Sequence, residues 1–275
     1  PNSGQEPLFF PGHGCPRRLI VFWGLSMTYC VAMCLADGLV FASDSRTNAG
    51  FDQISTFRKM HVFGQPDERE LVLLSAGNLA TSQSVISLLE KHAGTGSDDI
   101  LATDSLFETA ELVGQTMREV VRRDNPDCTI NHVDFSFSLI LVGQIRGGQP
   151  RLFNIYPEGN FIEATRETPY FQIGESKYGK PFLDRVLNYG TSLERAYQCA
   201  LISLDATMKS NLSVGMPLDV AIYRNNDLQP CFNERVDEHN CYFQTLRQQW
   251  HQGIQALVNS LDAPTIDQKR TSLSA

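Results

Sequence analysis

The sequence predicts an α+β fold of four layers: a sandwich (αββα) of two β-sheets between two layers of helices, with one helix added at the C-terminal end. Three observations lead there. The elements run strands, two helices, strands, two helices, strand, an order that suits helices segregated onto the outer faces of sheets. A two-residue turn signal, Asp37-Gly38, separates two apolar runs and marks a hairpin. Other stretches repeat apolar residues at helical spacing instead of period two.

Taken in order, residues 28–36 read as a strand carrying Tyr29, Val31, Cys30 and Cys34. The even spacing of the two cysteines puts them on one face, where they pack as small apolar groups. Residues 39–43 return as a second strand and end at Asp44-Ser45-Arg46-Thr47, read as a polar loop. Residues 59–63 and 70–76 are further strands. Gly77-Asn78 breaks the latter and opens a helix over 79–92, with Val85, Ile86, Leu88 and Leu89 on its buried face. A Gly-, Ser- and Asp-rich loop covers 93–99. A second helix over 105–123 buries Leu106, Ala110, Val113, Met117, Val120 and Val121, and Asn125-Pro126-Asp127 stops it. Strands at 134–144 and 151–156 flank the turn cluster Arg146-Gly147-Gly148-Gln149-Pro150. Short strands follow at 161–164 and 170–173, then helices at 180–189 and 192–209, and a strand at 218–223 closes the core.

Past Asn225-Asn226-Asp227 the chain turns polar. Tyr242, Leu246, Trp250, Ile254, Leu257 and Leu261 then mark an amphipathic helix that packs on its own domain or on a neighbouring subunit. Residues after Pro264 are expected to be disordered. The chain thus divides into 1–27 (a leader, a propeptide or an upstream segment outside the true reading start), a folded domain over 28–228, and a helical extension with tail over 229–275. Arg17-Arg18 before a short apolar run imitates a signal peptide, but the charges sit far from the terminus and no small-x-small cleavage site follows.

With 275 residues, 42% of them hydrophobic, the chain has ample material for a core. A formal net charge of −8 argues against nucleic-acid or anionic-membrane partners. Seven scattered cysteines without a Cys-x-x-Cys pattern read as reduced thiols in a cytoplasmic protein. No apolar run approaches the roughly 20 residues of a membrane span. His239 and Cys241 in a polar segment are not a metal site, and the glycines from Gly143 to Gly148 lack the lysine and helix of a phosphate loop. Neither metal nor cofactor is expected.

The most informative residue is Thr28, which follows Met27. If translation begins at Met27, methionine removal leaves Thr28 at the terminus. A terminal threonine carries a nucleophile and its own base, because an α-amine titrating at about 7.7–8.0 accepts the hydroxyl proton near pH 8. An internal threonine has no such amine.

Thr28, the Asp37-Gly38 hairpin, Ala42-Ser43-Asp44-Ser45-Arg46, Lys59 before a strand and Ser75-Ala76-Gly77 before a helix together resemble proteasome β-subunits and their bacterial relatives. The stretches beginning Ser75-Ala76-Gly77-Asn78-Leu79, Ile173-Gly174-Glu175-Ser176-Lys177 and Asn211-Leu212-Ser213-Val214-Gly215 are most similar to the Anbu group, with HslV second. The resemblance covers about residues 28–228. It implies an N-terminal-nucleophile hydrolase fold, self-association through the helical layers into rings or open, washer-like assemblies, and peptide-bond hydrolysis by the terminal threonine.

On that resemblance Thr28 attacks the scissile carbonyl. Lys59 lowers the hydroxyl pKa and keeps the amine neutral, where a lone lysine is ordinarily a solvated surface group. Asp44 orients Lys59, where it is otherwise a loop or capping aspartate. Gly77 offers its N–H to the oxyanion at a strand-to-helix turn, a place that also calls for glycine on conformational grounds alone. Phe57 and Ser75 line the substrate pocket. An acid and a serine expected after the fourth helix fall at Asn211 and Ser213, with Asp205 as an alternative acid. A further serine falls at Ser176, or Glu175 has taken its place. Asn211 lacks the charge that orients the amine, so weak activity or special substrates are expected. Two rival readings stand beside a peptidase acting on peptides or unfolded protein in a homo-oligomer: an amidohydrolase for a small amide, and a non-catalytic peptide-binding or scaffold shell. An unregulated peptidase is harmful, so an activator is also expected.

Overall fold

The computed structural model describes residues 28–48, 54–96, 98–125 and 134–264. The expected leader, the helix stop at Pro126-Asp127 and the tail after Pro264 lie outside them. The elements are β1 (Tyr29–Leu35), β2 (Gly38–Asp44), β3 (Arg46–Asn48), β4 (Ile54–Thr56), β5 (Met60–Gln65), β6 (Arg69–Gly77), α1 (Leu79–His92), α2 (Leu106–Asp124), β7 (Phe137–Ile145), β8 (Arg151–Ile155), β9 (Phe161–Glu163), β10 (Tyr170–Gly174), α3 (Lys180–Val186), α4 (Leu193–Ser210), β11 (Leu218–Arg224), β12 (Phe232–Val236) and α5 (Cys241–Ser260).

Two five-stranded antiparallel sheets form the centre, ordered β10-β1-β2-β11-β12 and β5-β6-β7-β8-β9. The alternation of β1 shows why they stack. Tyr29, Val31 and Met33 point outward into a core shared with α3, α4 and α5. Cys30 and Ala32 point inward against Val72, Leu74, Ile140 and Val142 of the second sheet, and Cys34 packs at the edge of that layer. Leu71, Leu73, Leu139 and Leu141 face the other way, onto Val85, Leu89, Val113 and Met117 of α1 and α2. Each sheet is therefore buried on both faces. Burying one such aliphatic side chain contributes about 1.5–3 kcal/mol, so three stacked apolar layers dominate the driving force.

Side-chain caps set the helix starts. Asn78, Ser105, Ser192 and Asn240 each accept from the backbone N–H three residues on, satisfying a donor the helix leaves open. The α1 bounds match the expected ones.

Three local expectations are corrected. The stretch after Asp44 is not a plain loop: β3 pairs with β4 in a small two-stranded sheet. Helix α3 stops at Val186, because Leu187 turns to extended backbone. The polar stretch after residue 227 contains β12, which pairs with β11 and completes the first sheet. Its residues are mostly exposed at the sheet edge, which weakens the apolar pattern. Among the described residues no helix is long and apolar enough to cross a membrane.

Candidate active site

The hairpin of β1 and β2 brings Thr28 and Asp44 to one end of the first sheet, with Cys30 opposite Ser43. Thr28 is buried, at 2% exposure. Asp44 is fully enclosed and both of its carboxylate oxygens are engaged. Oδ1 accepts from the Lys59 ammonium at 2.7 Å and from the backbone N–H of Tyr29, the residue after Thr28, at 3.1 Å. Oδ2 accepts from the N–H of Gly215 at 3.1 Å. Burial pushes the Asp44 carboxyl above its ordinary pKa, opposed by Lys59 and the two N–H groups. Lys59 also donates to the carbonyl of Arg46 at 2.6 Å. The ammonium is thus fixed between β2 and β3, and is no solvated surface lysine. One carboxylate ties together the start of β1, the cation and the loop before β11.

The end of β6 closes a second side. Ser75 donates its N–H to the Lys59 carbonyl at 2.9 Å, and its own carbonyl accepts from the Cys30 thiol at 3.6 Å. Burial raises the Cys30 thiol, so it stays protonated and is a packing group rather than a rival nucleophile. Gly77 has φ +117°, and a Cβ there would lie 2.6 Å from Phe137 Cα, so glycine is required on two grounds. Gly174 passes directly against Thr28: at φ +81° its missing Cβ leaves room for the Thr28 carbonyl, 1.8 Å from where that atom would sit. The same virtual Cβ is 3.5 Å from Ala76, which brings the β6 end, Gly174 and Thr28 into one cluster.

The remaining predicted residues spread outward. Glu175 donates its N–H to the Thr28 carbonyl at 2.7 Å. Ser176 follows, but lines a 410 Å³ cavity with Tyr170, Lys180 and Asp184 beside α3. Asn211 is the C-cap of α4 and its Oδ1 accepts from the N–H of Ser213 at 2.9 Å, a tight polar turn. The Asp205 carboxylate meets Arg247 of α5 at 2.6 Å, which gives it a structural partner there. Phe57 is partly exposed and its N–H donates to the Ser45 carbonyl at 2.9 Å, while Ser75 is buried.

Sequence reasoning missed two groups. The Arg46 guanidinium donates to the Leu212 carbonyl at 2.9 Å and lies where a Gly215 Cβ would come within 2.3 Å of its central carbon. Arg46 therefore fastens the 211–215 segment to β3. The Tyr29 phenol contacts the Ser203 hydroxyl at 2.5 Å and the Gln172 amide, joining β1 to α4 and β10. The arginine was visible next to Asp44, but its partners lie about 170 residues away in sequence.

Residues 27–223 match the sequence model of the proteasome subunit family. The chain belongs to the proteasome family. Within it the chain groups with Anbu proteins. It is 53% identical to Anbu (ancestral beta-subunit) from Yersinia bercovieri, with a TM-score of 0.82, covering 87% of this chain and 99% of that one. A structure described as the helical assembly of the Anbu complex from Pseudomonas aeruginosa is also 53% identical, with a TM-score of 0.83 and coverage of 86% and 98%. Anbu from Hyphomicrobium sp. strain MC1 is 43% identical, with a TM-score of 0.80 and coverage of 87% and 100%. No curated protein matches the chain. The proteasome-type fold expected from the motifs is the fold present; Thr28, Asp44, Lys59 and the β6 end gather at one end of the sandwich, and the Asp37-Gly38 turn lies at the other end of the β1–β2 hairpin.

Proposed function

We propose that this Anbu-type chain is a threonine peptidase of the N-terminal-nucleophile class, cytoplasmic and homo-oligomeric, with Thr28 as its mature first residue. One observation carries the reading: a buried carboxylate joins a buried ammonium to the backbone of the residue that follows Thr28. A buried charge pair of this kind is rarely built for stability alone.

The neutral α-amine of Thr28 takes the hydroxyl proton, and Oγ attacks the peptide carbonyl. The ammonium of Lys59 favours the alkoxide, and the Gly77 N–H receives the oxyanion. The leaving amine takes the proton back from the α-ammonium, and an ester remains on Thr28. Water, deprotonated by the same amine, then cleaves the ester. Asp44 keeps Lys59 charged and placed. Ser213 and Asn211 support the amine side of the site, and Phe57 and Ser75 border the pocket for the substrate side chain.

Self-association is part of the proposal. The Pseudomonas aeruginosa relative is described as a helical assembly, and here Ile254, Leu257 and Val258 of α5 and the adjoining Leu261 are exposed. A second reading, a non-catalytic shell, is favoured by the uncharged Asn211. Intact mass of the native protein before and after an epoxyketone decides between them. A chain starting at Thr28 that gains one adduct supports the peptidase. A chain starting there that gains none favours the shell.

A further inference from the structure

A second acidic residue, Glu175, binds Thr28 through its backbone, and the proposed mechanism does not use its carboxylate. Strand β10 pairs with β1 so that Gly174 stands opposite Tyr29. One further step in that antiparallel register puts Glu175 opposite Thr28, and the Glu175 N–H to Thr28 carbonyl bond, 2.7 Å, completes the step. Residues directly opposite in such a pair carry Cβ atoms about 4.5–5.5 Å apart. Gly174 allows the approach, since any larger residue there collides with the Thr28 carbonyl.

The side chain of Glu175 is turned inward. It is 13% exposed, whereas the Lys177 side chain two residues on is 63% exposed. Glu175 Oε2 is shielded from water, and its partner is the Lys177 ammonium at 3.1 Å, which stands in solvent. An ammonium largely in water screens its partner weakly, so most of the carboxylate charge is felt on the protein side.

Among the described residues, the other charges gathered around Thr28 have partners of their own. Asp44 of β2 is neutralised by Lys59 and two backbone N–H groups. Arg46 of β3 is directed at the Leu212 carbonyl. The segment from Asn211 to Pro217, between α4 and β11, has no ionisable side chain, and Asp205 of α4 faces Arg247. Glu175, whose counter-charge stands in solvent, is the carboxylate closest in register to the residue whose amine must act as base.

We propose that the Glu175 carboxylate is a positioning group for the Thr28 α-amine: it pairs with the ammonium form and moves the neutral, basic form to higher pH. The inference rests on the reading of Thr28 as the mature terminus. It makes the peptidase slow at neutral pH and faster in mild alkali, a brake set by one side chain. The sign follows from charge: a neighbouring anion favours the protonated amine and raises its pKa, and removing the anion lowers it.

Two readouts on protein whose terminus is verified as Thr28 test this. Competitive acetylation of the α-amine by limiting acetic anhydride, followed by mass spectrometry across pH, gives the amine titration directly. The rate of epoxyketone labelling across the same pH range gives the catalytic profile. In Glu175→Gln the amine should titrate about one pH unit lower than in the parent. Neutral-pH labelling should rise several-fold, while the alkaline plateau stays. A purely structural role of Glu175 lowers the plateau and leaves the titration in place. If Glu175→Gln titrates with the parent, the inference falls. Should that variant not fold, Glu175→Asp, which retracts the charge by one methylene, must move the titration in the same direction by less. An amine that shifts without any adduct forming in any variant upholds Glu175 and removes the peptidase reading. An adduct that forms with an unshifted profile does the reverse.

Discussion

On the β2 side of Thr28, Asp44 has both oxygens occupied by an ammonium and two backbone N–H groups, all within 3.1 Å and away from water. On the β10 side, Glu175 holds Thr28 by its backbone alone, and its side chain has one ion-pair partner that stands in solvent. The first wall is a fixed electrostatic frame. The second is a frame of backbone with an adjustable charge on it. The difference teaches where sequence change is tolerated: in the first wall the Asp44 carboxylate and the Lys59 ammonium answer to each other, so a substitution of either orphans a buried partner, whereas in the second a side chain can change and alter pH behaviour without breaking the fold.

The largest effects are expected at the centre. Thr28→Ala and Lys59→Ala should abolish adduct formation with the epoxyketone while assembly, read by size-exclusion chromatography with light scattering, stays intact. Normal turnover in either would end the proposed mechanism. Asp44→Asn tests the fixed wall itself. It leaves Lys59 buried without its counter-charge, and breaking a buried pair by removing one partner is worth about 3–5 kcal/mol of stability. Thermal unfolding should register that loss, and labelling should slow by about 10²–10⁴-fold, the usual share of a positioned acid–base group. If Asp44→Asn is both stable and active, the two walls do not differ as described.

A smaller effect is expected where the first wall grips the 211–215 segment. Gly215→Ala forces a methyl group towards the Arg46 guanidinium and should destabilise by about 1–3 kcal/mol through overpacking. Combined with Arg46→Met, whose flexible side chain yields, the two changes should destabilise by less than their sum, because both act on one contact. Additive values from a double-mutant cycle would show that Arg46 and Gly215 act separately.

The two walls were also unequally legible in the sequence. Asp44 announced itself as a carboxylate ending a strand whose hairpin partner begins at Thr28, so turn chemistry and alternation were enough to bring the two together. The α1 start at Asn78 and the β6 end at Gly77 were legible for a similar reason, since cap and turn residues act over a few positions. What stayed hidden depends on distant partners. The Arg46 guanidinium reaches Leu212, and the Tyr29 phenol reaches Ser203, across most of the chain. Strand β12 escaped because an exposed edge strand has little apolar alternation. Ser176 and Glu175 were interchangeable in one dimension. A backbone hydrogen bond separates them: the Glu175 N–H meets the Thr28 carbonyl, while Ser176 lies on the outer cavity.

That separation yields the smallest predicted effect, and a specific one. Ser176 sits with Tyr170, Lys180 and Asp184 around a cavity beside α3, and its backbone serves the turn into that helix, with its N–H on the Gly174 carbonyl at 2.9 Å and its carbonyl accepting from Lys180 at 2.9 Å. Both of those bonds survive replacement by alanine. Ser176→Ala should therefore leave the labelling rate, its pH profile and the unfolding temperature close to the parent, within the ±0.5 kcal/mol typical of changes that orphan no buried partner. Ser213→Ala, on the segment that Asp44 and Arg46 hold, should slow labelling more. A large loss at Ser176 with little at Ser213 would place the amine-supporting hydroxyl on the β10 side, and the adjustable wall would then be a catalytic one.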